Sequence, residues 1–149
     1  MNSPGKILLV EDDVRDVELI LAALAKNNLA NEVVVARDGN EALDYLHRRG
    51  EFQSRPPDNP VVVFLDLKMP KLDGLEVLRQ IKSSVELGSI PVVVLTSSQQ
   101  EADLAQSYDL GANSYVAKPV DSGRFADAIR QLGAFWTTVN EPPRLRAER

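Results

Sequence analysis

The chain has 149 residues, of which 44% are hydrophobic, and it carries a formal net charge of −5 and no cysteine. A chain of this length can form one ordinary domain with a buried core. The acidic balance argues against a general nucleic-acid binder, and the lack of cysteine excludes disulfides and thiolate metal sites. No apolar run approaches the roughly 20 residues of a membrane span, and the start does not resemble a signal peptide. We therefore expect a soluble cytoplasmic protein.

Short runs of Val, Ile and Leu alternate along the chain with longer segments of helical period. The predicted strands cover residues 7–10, 32–36, 61–65, 92–95 and 114–117. The predicted helices comprise one capped by Asp13, one around 42–46, one opened by Asp73, a mostly polar one at 99–110, and one that starts near Asp121, buries Phe125, Ile129 and Leu132, and continues through Phe135 and Trp136. Strict alternation with nearly continuous apolar strands predicts a doubly wound (βα)5 domain with a parallel sheet covered on both faces.

Polar side chains follow four of these apolar runs. Glu11 and Asp12 follow the first, Asp66 the third, Thr96 the fourth and Lys118 the fifth. Because the carboxyl ends of parallel strands meet at one edge of a sheet, we expect all five side chains in one crevice. Oxygen ligands suit a hard cation such as Mg²⁺, and an ammonium and a hydroxyl suit a phosphoryl group. The sequence therefore predicts a site for a divalent cation and a phosphoryl group.

Plainer interpretations exist for single residues of this set. Asp13 and Asp73 are better explained as helix caps, and Asp66 alone could also be one. The interpretation of Asp66 as a helix cap is weaker, because Pro70 follows closely and a helix cannot easily continue into it. Thr96 and Lys118 could occupy ordinary turns. Two carboxylates about 5 Å apart repel by roughly 3 kcal/mol at an effective dielectric near 20, so a functional role explains their clustering better.

Four segments resemble the receiver domain of two-component response regulators. They are the runs Leu8 to Asp13, Phe64 to Gly74, Val94 to Ser97 and Gly111 to Pro119. The resemblance covers about residues 6–133 and implies a flavodoxin-like fold with strand order 2-1-3-4-5. It also implies a single receiver domain over 1–140, with an aromatic extension at 134–140. The composition of residues 141–149, with two prolines and three arginines, predicts a disordered tail.

The resemblance also implies a role for each residue of the crevice. Asp66 would be the phosphoacceptor, Asp12 a direct Mg²⁺ ligand beside Asp66, Glu11 a ligand through water, Lys68 a ligand through its carbonyl, Lys118 a phosphate contact, and Thr96 with Tyr115 the switch pair. Mn²⁺ or Ca²⁺ could replace Mg²⁺. The bond between Lys118 and Pro119 resembles one that is cis in the family.

A narrower resemblance is to the stand-alone receivers paired with bacterial phytochromes. It rests on the long segment 50–60, the runs 90–98 and 107–113, and the extension with Phe135 and Trp136. It implies a sensor histidine kinase as partner, a bacteriophytochrome among the candidates, and a homodimer through the last helices. Too little chain follows residue 133 for a DNA-binding module, so output is expected through protein contacts. The aromatic pair could instead pack on its own core.

Two other functions remain open at this stage. A Mg²⁺-dependent aspartyl-phosphate hydrolase could use similar residues, but the dehalogenase-type pattern needs a second Asp two positions after the nucleophile, where Lys68 stands. A binding-only pseudo-receiver usually lacks one or more of the five residues that are present here. The single histidine, His47, is expected on the surface without a role.

Overall fold

Five parallel strands form one sheet in the order β2-β1-β3-β4-β5. The structure is a computed structural model that describes residues 5–29, 32–69, 71–96, 101–118 and 123–140. The strands are β1 (Ile7–Val10), β2 (Val33–Ala36), β3 (Val62–Asp66), β4 (Val92–Thr96) and β5 (Ser114–Ala117). The helices are α1 (Val14–Ala25), α2 (Gly39–His47), α3 (Gly74–Ser83), α4 (Glu101–Asp109) and α5 (Gly123–Ala134). The predicted fold class and strand order are confirmed.

The apolar strands are covered on both faces. Alternate residues of β1 point to opposite sides: Leu8 and Val10 pack in a core with α2 and α3, whereas Ile7 and Leu9 pack in a second core with α1 and α5. This period of two is a property of extended backbone. All residues of β1, β3 and β4 are buried, which explains why these strands are apolar without alternation up to the polar residues Asp66 and Thr96 that end β3 and β4.

Aspartates cap the N-termini of three helices that begin at the carboxyl edge of the sheet. Asp13 accepts hydrogen bonds from the backbone N–H groups of Arg15 and Asp16, and Asp73 accepts one from Glu76. Asp38 caps α2 in the same way. Side-chain oxygens satisfy donors that have no partner within the first turn of a helix. The interpretation of Asp13 and Asp73 as caps is therefore confirmed.

The structure shifts several predicted boundaries by one or two residues. β2 begins at Val33, and β3 and β4 extend to include Asp66 and Thr96. Leu132 is only partly buried, because it lies at the margin of the core that holds Phe125 and Ile129. The predicted starts of the last two helices, at 99 and 121, lie outside the described residues, as do Pro70, Pro119 and the tail 141–149.

Segment 50–60 is ordered around one arginine. It begins with a short 3-10 helix, Gly50–Phe52, and Arg55 then donates hydrogen bonds to the carbonyls of Tyr45 and Asp58. The Arg55 guanidinium also lies 4.2 Å from the centre of the Tyr45 ring. These contacts fasten the segment to the end of α2.

The chain continues past α5 as a π-helical turn, Phe135–Val139. The Phe135 and Trp136 rings meet edge to face, with centroids 4.9 Å apart. Trp136 packs against the core formed with α1 and α5, whereas Phe135 is 43% exposed. The two aromatic residues therefore have different environments. Among the described residues, no helix has the length and apolar character required to span a bilayer.

Candidate functional site

Three carboxylates converge at the carboxyl edge of the sheet. Glu11 directly follows β1, Asp12 is next in the chain, and Asp66 ends β3, the neighbour of β1. One carboxylate oxygen from each residue lies within 4.8 Å of the other two. Glu11 and Asp66 are buried, and Asp12 is more open to solvent. Clustered hard oxygen donors with access from one side fit a divalent cation that keeps part of its water shell.

Lys118 brings a positive charge into the same cluster. Its Nζ lies 2.8 Å from Glu11 Oε1 and 3.8 Å from Asp66 Oδ2. A backbone hydrogen bond from Lys118 N–H to the Thr96 carbonyl holds the start of this loop against the end of β4. Burial disfavours the ammonium charge, but hydrogen bonds to Asp16 and Glu11 outweigh that cost and raise the pKa of Lys118. Lys118 therefore remains charged wherever the protein is folded near neutral pH.

Asp66 is the most perturbed acid of the site. Burial and the nearby Glu11 together raise the pKa of Asp66 to about 7, although Lys118 and the Lys68 N–H act to lower it. The Lys68 N–H donates to Asp66 Oδ1 at 3.4 Å, so this peptide borders the carboxylate. A buried carboxyl with a strongly shifted pKa beside a specific charge partner is typical of a functional group.

The predicted switch residues lie on the neighbouring strands. Thr96 is buried at the end of β4, where the preceding Leu95 is paired in register with Asp66. Tyr115 is paired with Val94 and is partly buried against the core formed with α2 and α3. Thr96 thus lies at the same edge as Asp66, and Tyr115 lies further from that edge, on β5.

Gly74 permits close packing under the site. A side-chain carbon at this position would lie 2.3 Å from the Asp66 carbonyl oxygen and 2.6 Å from Leu67 Cα. Both atoms belong to the backbone and cannot move aside cheaply. The first residue of α3 therefore has to be glycine for this helix to approach the end of β3 so closely.

A cleft of about 260 Å³ opens beside the site. It is lined by Leu67, Lys68, Met69, Asp73, Leu75 and Asp103. The Lys68 ammonium crosses it to pair with Asp103 of α4 at 3.4 Å. Lys68 therefore points away from the carboxylates, and its side chain supplies no acid of the kind that a dehalogenase-type hydrolase needs.

The structure also reveals a residue that the sequence argument missed. Asp16 of α1 contacts Lys118, with Oδ2 to Nζ at 2.8 Å. No local signal in the sequence pointed to this contact, because Lys118 is 102 residues away and a charged residue in the first turn of a helix is usually solvated. His47 is exposed at the end of α2, as predicted.

Comparison with known proteins connects this arrangement to one family. Residues 7–130 match the response regulator receiver domain. Response regulator Rcp1 of Synechocystis sp. is 39% identical over 142 residues, which cover 95% of both chains. Its Mn²⁺-bound crystal structure has a TM-score of 0.85, with 95% of this chain and 100% of that chain covered.

Two further solved structures are of phytochrome response regulators. The phosphorylated cyanobacterial phytochrome response regulator RcpA is 41% identical, with a TM-score of 0.86 and coverage of 95% of this chain and 100% of that one. The bacteriophytochrome response regulator RtBRR is 58% identical, with a TM-score of 0.77 and coverage of 95% and 85%. The family match over most of the chain, together with these relatives, shows that the protein belongs to the response regulator receiver domain family and is related to phytochrome response regulators.

Proposed function

We propose that Asp66 accepts a phosphoryl group and that the protein passes this signal on through a change in its surface. The observation that carries the proposal is the cluster of Glu11, Asp12 and Asp66 with Lys118 beside it. A buried acceptor carboxylate, two further acids and one ammonium match the charges of a phosphoryl group and a divalent cation.

The carboxylate cluster fits Mg²⁺, with Mn²⁺ or Ca²⁺ as substitutes. Asp12 and Asp66 would hold the ion directly, Glu11 through water, and Lys68 through its main-chain carbonyl. Oxygen donors within 4.8 Å of one another support this assignment, as does the Mn²⁺-bound form of Rcp1. When bound, the ion neutralises negative charge on the phosphoryl oxygens.

The protein's own residues carry the remaining steps of the transfer. An Asp66 carboxylate oxygen forms the new bond to phosphorus while the bond from phosphorus to a histidine nitrogen of the donor breaks, and its electron pair stays on the imidazole. Lys118 offsets the charge on the phosphoryl oxygens as a point-charge donor. The Thr96 hydroxyl donates a hydrogen bond to one of them. Hydrolysis of the phosphoaspartate then resets the protein, which catalyses no other reaction.

The proposed switch links the phosphoryl group to the surface formed by α4, β5 and α5. Movement of Thr96 toward a phosphoryl oxygen vacates space, and Tyr115 rotates into it. Because Tyr115 belongs to β5, its rotation alters the face made by α4, β5 and α5. A local charge change is thereby converted into a change of partner affinity.

The proposed donor is a sensor histidine kinase, and the relatedness to RcpA and RtBRR favours a bacteriophytochrome. We assign residues 1–140 to one receiver domain, with a core at 6–133 and a tail at 141–149. A cytoplasmic location follows from such a donor. The partners are proteins rather than nucleic acid or membrane, and they include a second copy of the chain bound through the last helices.

The first experiment is intact mass spectrometry after incubation with acetyl phosphate and Mg²⁺. Wild type is expected to gain one phosphoryl group, while Asp66→Asn and a sample with chelator gain none. Beryllofluoride, which mimics a phosphoryl group on a carboxylate, should bind the wild type in the same Mg²⁺ buffer. If the wild type gains no phosphoryl group and also fails to bind beryllofluoride, the result contradicts the proposal and favours a protein that only binds partners. Sustained steady-state turnover of a generic phosphate ester would favour a hydrolase instead.

A further inference from the structure

Lys118 is shared among three carboxylates rather than paired with one. Its Nζ lies 2.8 Å from Glu11 Oε1 and 2.8 Å from Asp16 Oδ2, but 3.8 Å from Asp66 Oδ2. The ammonium side chain is only 11% exposed, so these neighbours rather than water determine its position. The two close acids come from different elements, the end of β1 and the first turn of α1.

Lys118 lies at ion-pair distance from Asp66 but beyond hydrogen-bond distance, and its ammonium donates to Glu11 and Asp16 instead. Glu11 and Asp66 end neighbouring strands, and an ammonium held by these two alone would settle between them within hydrogen-bond distance of both. Charge-assisted hydrogen bonds of about 2.8 Å are strongly preferred over a separation near 4 Å. Asp16 draws Nζ toward α1, which leaves the Asp66 oxygen without this donor.

The other acids at the start of α1 have different environments. Asp13 uses its carboxylate to cap the helix through the N–H groups of Arg15 and Asp16. Glu18 is exposed on the same helix. Asp16 is only 22% exposed, and its hydrogen bond to Lys118 joins positions separated by 102 residues. It therefore connects α1 to the loop that follows β5.

We propose that Asp16 is a positioning residue, which holds Lys118 off the Asp66 carboxylate and directed toward the incoming phosphoryl group. The inference rests on the proposed function of Asp66. A direct pair with Lys118 would occupy an oxygen that has to attack phosphorus, and it would move the ammonium from the place where the phosphoryl oxygens arrive. In this proposal Asp16 acts on Asp66 and on the phosphoryl group only through Lys118.

The test measures the rate of Asp66 phosphorylation by phosphoramidate in Mg²⁺ as a function of donor concentration. Asp16→Ala should lower the saturating rate roughly tenfold, as expected for a misplaced catalytic group, with little change in the half-saturating concentration. Asp16→Glu keeps the carboxylate and should recover a large part of the rate. Glu18→Ala removes the same charge from the same helix and should react like wild type. Thermal melting checks that each variant is folded.

The direction of the change separates positioning from a general charge effect. Removing a negative charge near an anionic donor favours its approach, so a purely electrostatic role predicts faster phosphorylation of Asp16→Ala. A rate equal to or above that of wild type would overturn the inference, although Asp66 would still be the phosphoacceptor. A wild-type protein that gains no phosphoryl group would overturn the proposed function itself.

A double-mutant cycle tests whether Asp16 acts through Lys118. In a Lys118→Ala background, followed over a longer time course, Asp16→Ala should cause no additional loss of rate, because there is no ammonium left to position. The same fold-loss in both backgrounds would assign Asp16 a structural role and contradict the inference.

Discussion

At the residue scale, the electrostatics of the crevice follow from where the strands end. Glu11 and Asp66 are brought together because β1 and β3 are neighbours, and both are buried because helices cover the sheet. Lys118 compensates this pair only in part, since it is also bound to Asp16. The metal-free site thus retains excess negative charge, which opposes folding and favours a cation.

The raised pKa of Asp66 predicts how metal-free stability depends on pH. Between about pH 4 and pH 7 the folded protein holds a proton on Asp66 that the unfolded chain has already released. The folded state therefore binds more protons, and the free energy of unfolding falls as pH rises through this window. Above about pH 7 this contribution is constant.

Thermal unfolding in chelator from pH 4 to 8 measures this dependence, with Asp66→Asn as the control. The asparagine cannot titrate, so wild type should lose stability relative to Asp66→Asn as pH rises. Because one pKa unit corresponds to about 1.4 kcal/mol, the loss should be a few kcal/mol at most. Parallel curves for the two proteins would show that the pKa of Asp66 is not raised.

Charge repulsion makes a second prediction for Asp12. Lys118 lies near Glu11 and Asp66, whereas the described part of the chain contains no ion pair to Asp12. Asp12→Ala should therefore raise the melting temperature of the metal-free protein, by about 3 °C for each kcal/mol of relieved repulsion in a domain of this size. The same variant should lose the stabilisation that Mg²⁺ gives to wild type.

Differential scanning calorimetry with and without Mg²⁺ tests the Asp12 prediction. Glu86→Ala is a matched control, because Glu86 is exposed in a turn distant in sequence from the crevice. An Asp12→Ala protein that melts no higher than wild type in chelator, and still responds to Mg²⁺, would show that Asp12 is not part of a repulsive metal-binding cluster.

At the scale of elements, Arg55 decides the conformation of the segment between α2 and β3. Its guanidinium donates to the carbonyls of Tyr45, Leu46, Pro56 and Asp58. Two of these carbonyls, those of Tyr45 and Leu46, belong to the last turn of α2, and the Tyr45 carbonyl also accepts from the N–H of the C-cap residue Arg48. Arg55 thus stabilises the C-terminal end of α2 and at the same time orders the loop that follows it.

Arg55→Ala should lower the free energy of unfolding by about 1 to 3 kcal/mol, because two partly buried carbonyls at the end of α2 and two carbonyls of the loop lose this charged donor. Arg55→Lys should not restore it, since an ammonium cannot serve several divergent carbonyls or stack on Tyr45 as a planar guanidinium does. Arg49→Ala removes an exposed arginine paired with Asp44 and should change stability by about 0.5 kcal/mol or less. Urea unfolding of the three variants compares them, and an equal effect of Arg49→Ala and Arg55→Ala would contradict this role.

At the scale of the whole molecule, much of the fold and the crevice could be predicted from the sequence. The apolar runs that end at Val10, Leu65 and Leu95 are regular, and parallel pairing brings the polar residues that follow them to one edge of the sheet. Asp16 and Arg55 were not predictable in the same way. Their partners are 102 and 10 residues away, and a charged residue on a helix or loop is usually solvated, so nothing local distinguishes them.

The environments of the two aromatic residues in the C-terminal extension could not be predicted from the sequence either. Phe135 and Trp136 are adjacent apolar residues in the sequence, and either could bind the core or a partner. The structure packs Trp136 on the core near α1 and α5 and leaves Phe135 43% exposed, next to Val139 at 67%. Their separation depends on the π-helical turn, which the sequence pattern did not predict.

This difference gives the two residues distinct predictions. Phe135→Ala should weaken the proposed homodimer roughly tenfold, as expected for an aromatic anchor at an interface, with little effect on the unfolding of a dilute monomer. Trp136→Ala should lower monomer stability by about 3 kcal/mol, because truncation of a large side chain packed on the core leaves a cavity. Sedimentation velocity over a range of concentrations measures the first effect, and urea unfolding at low concentration measures the second.

Val85→Ala is the control for the dimer measurement, because Val85 is 88% exposed after α3, away from the last helices. It should leave the dissociation constant unchanged. If Phe135→Ala and Val85→Ala sediment alike, and like wild type, the exposed face of Phe135 is not an interface. A homodimer would then have to use other surfaces. The packing of Trp136 on the monomer core is tested separately, by the urea unfolding curve of Trp136→Ala.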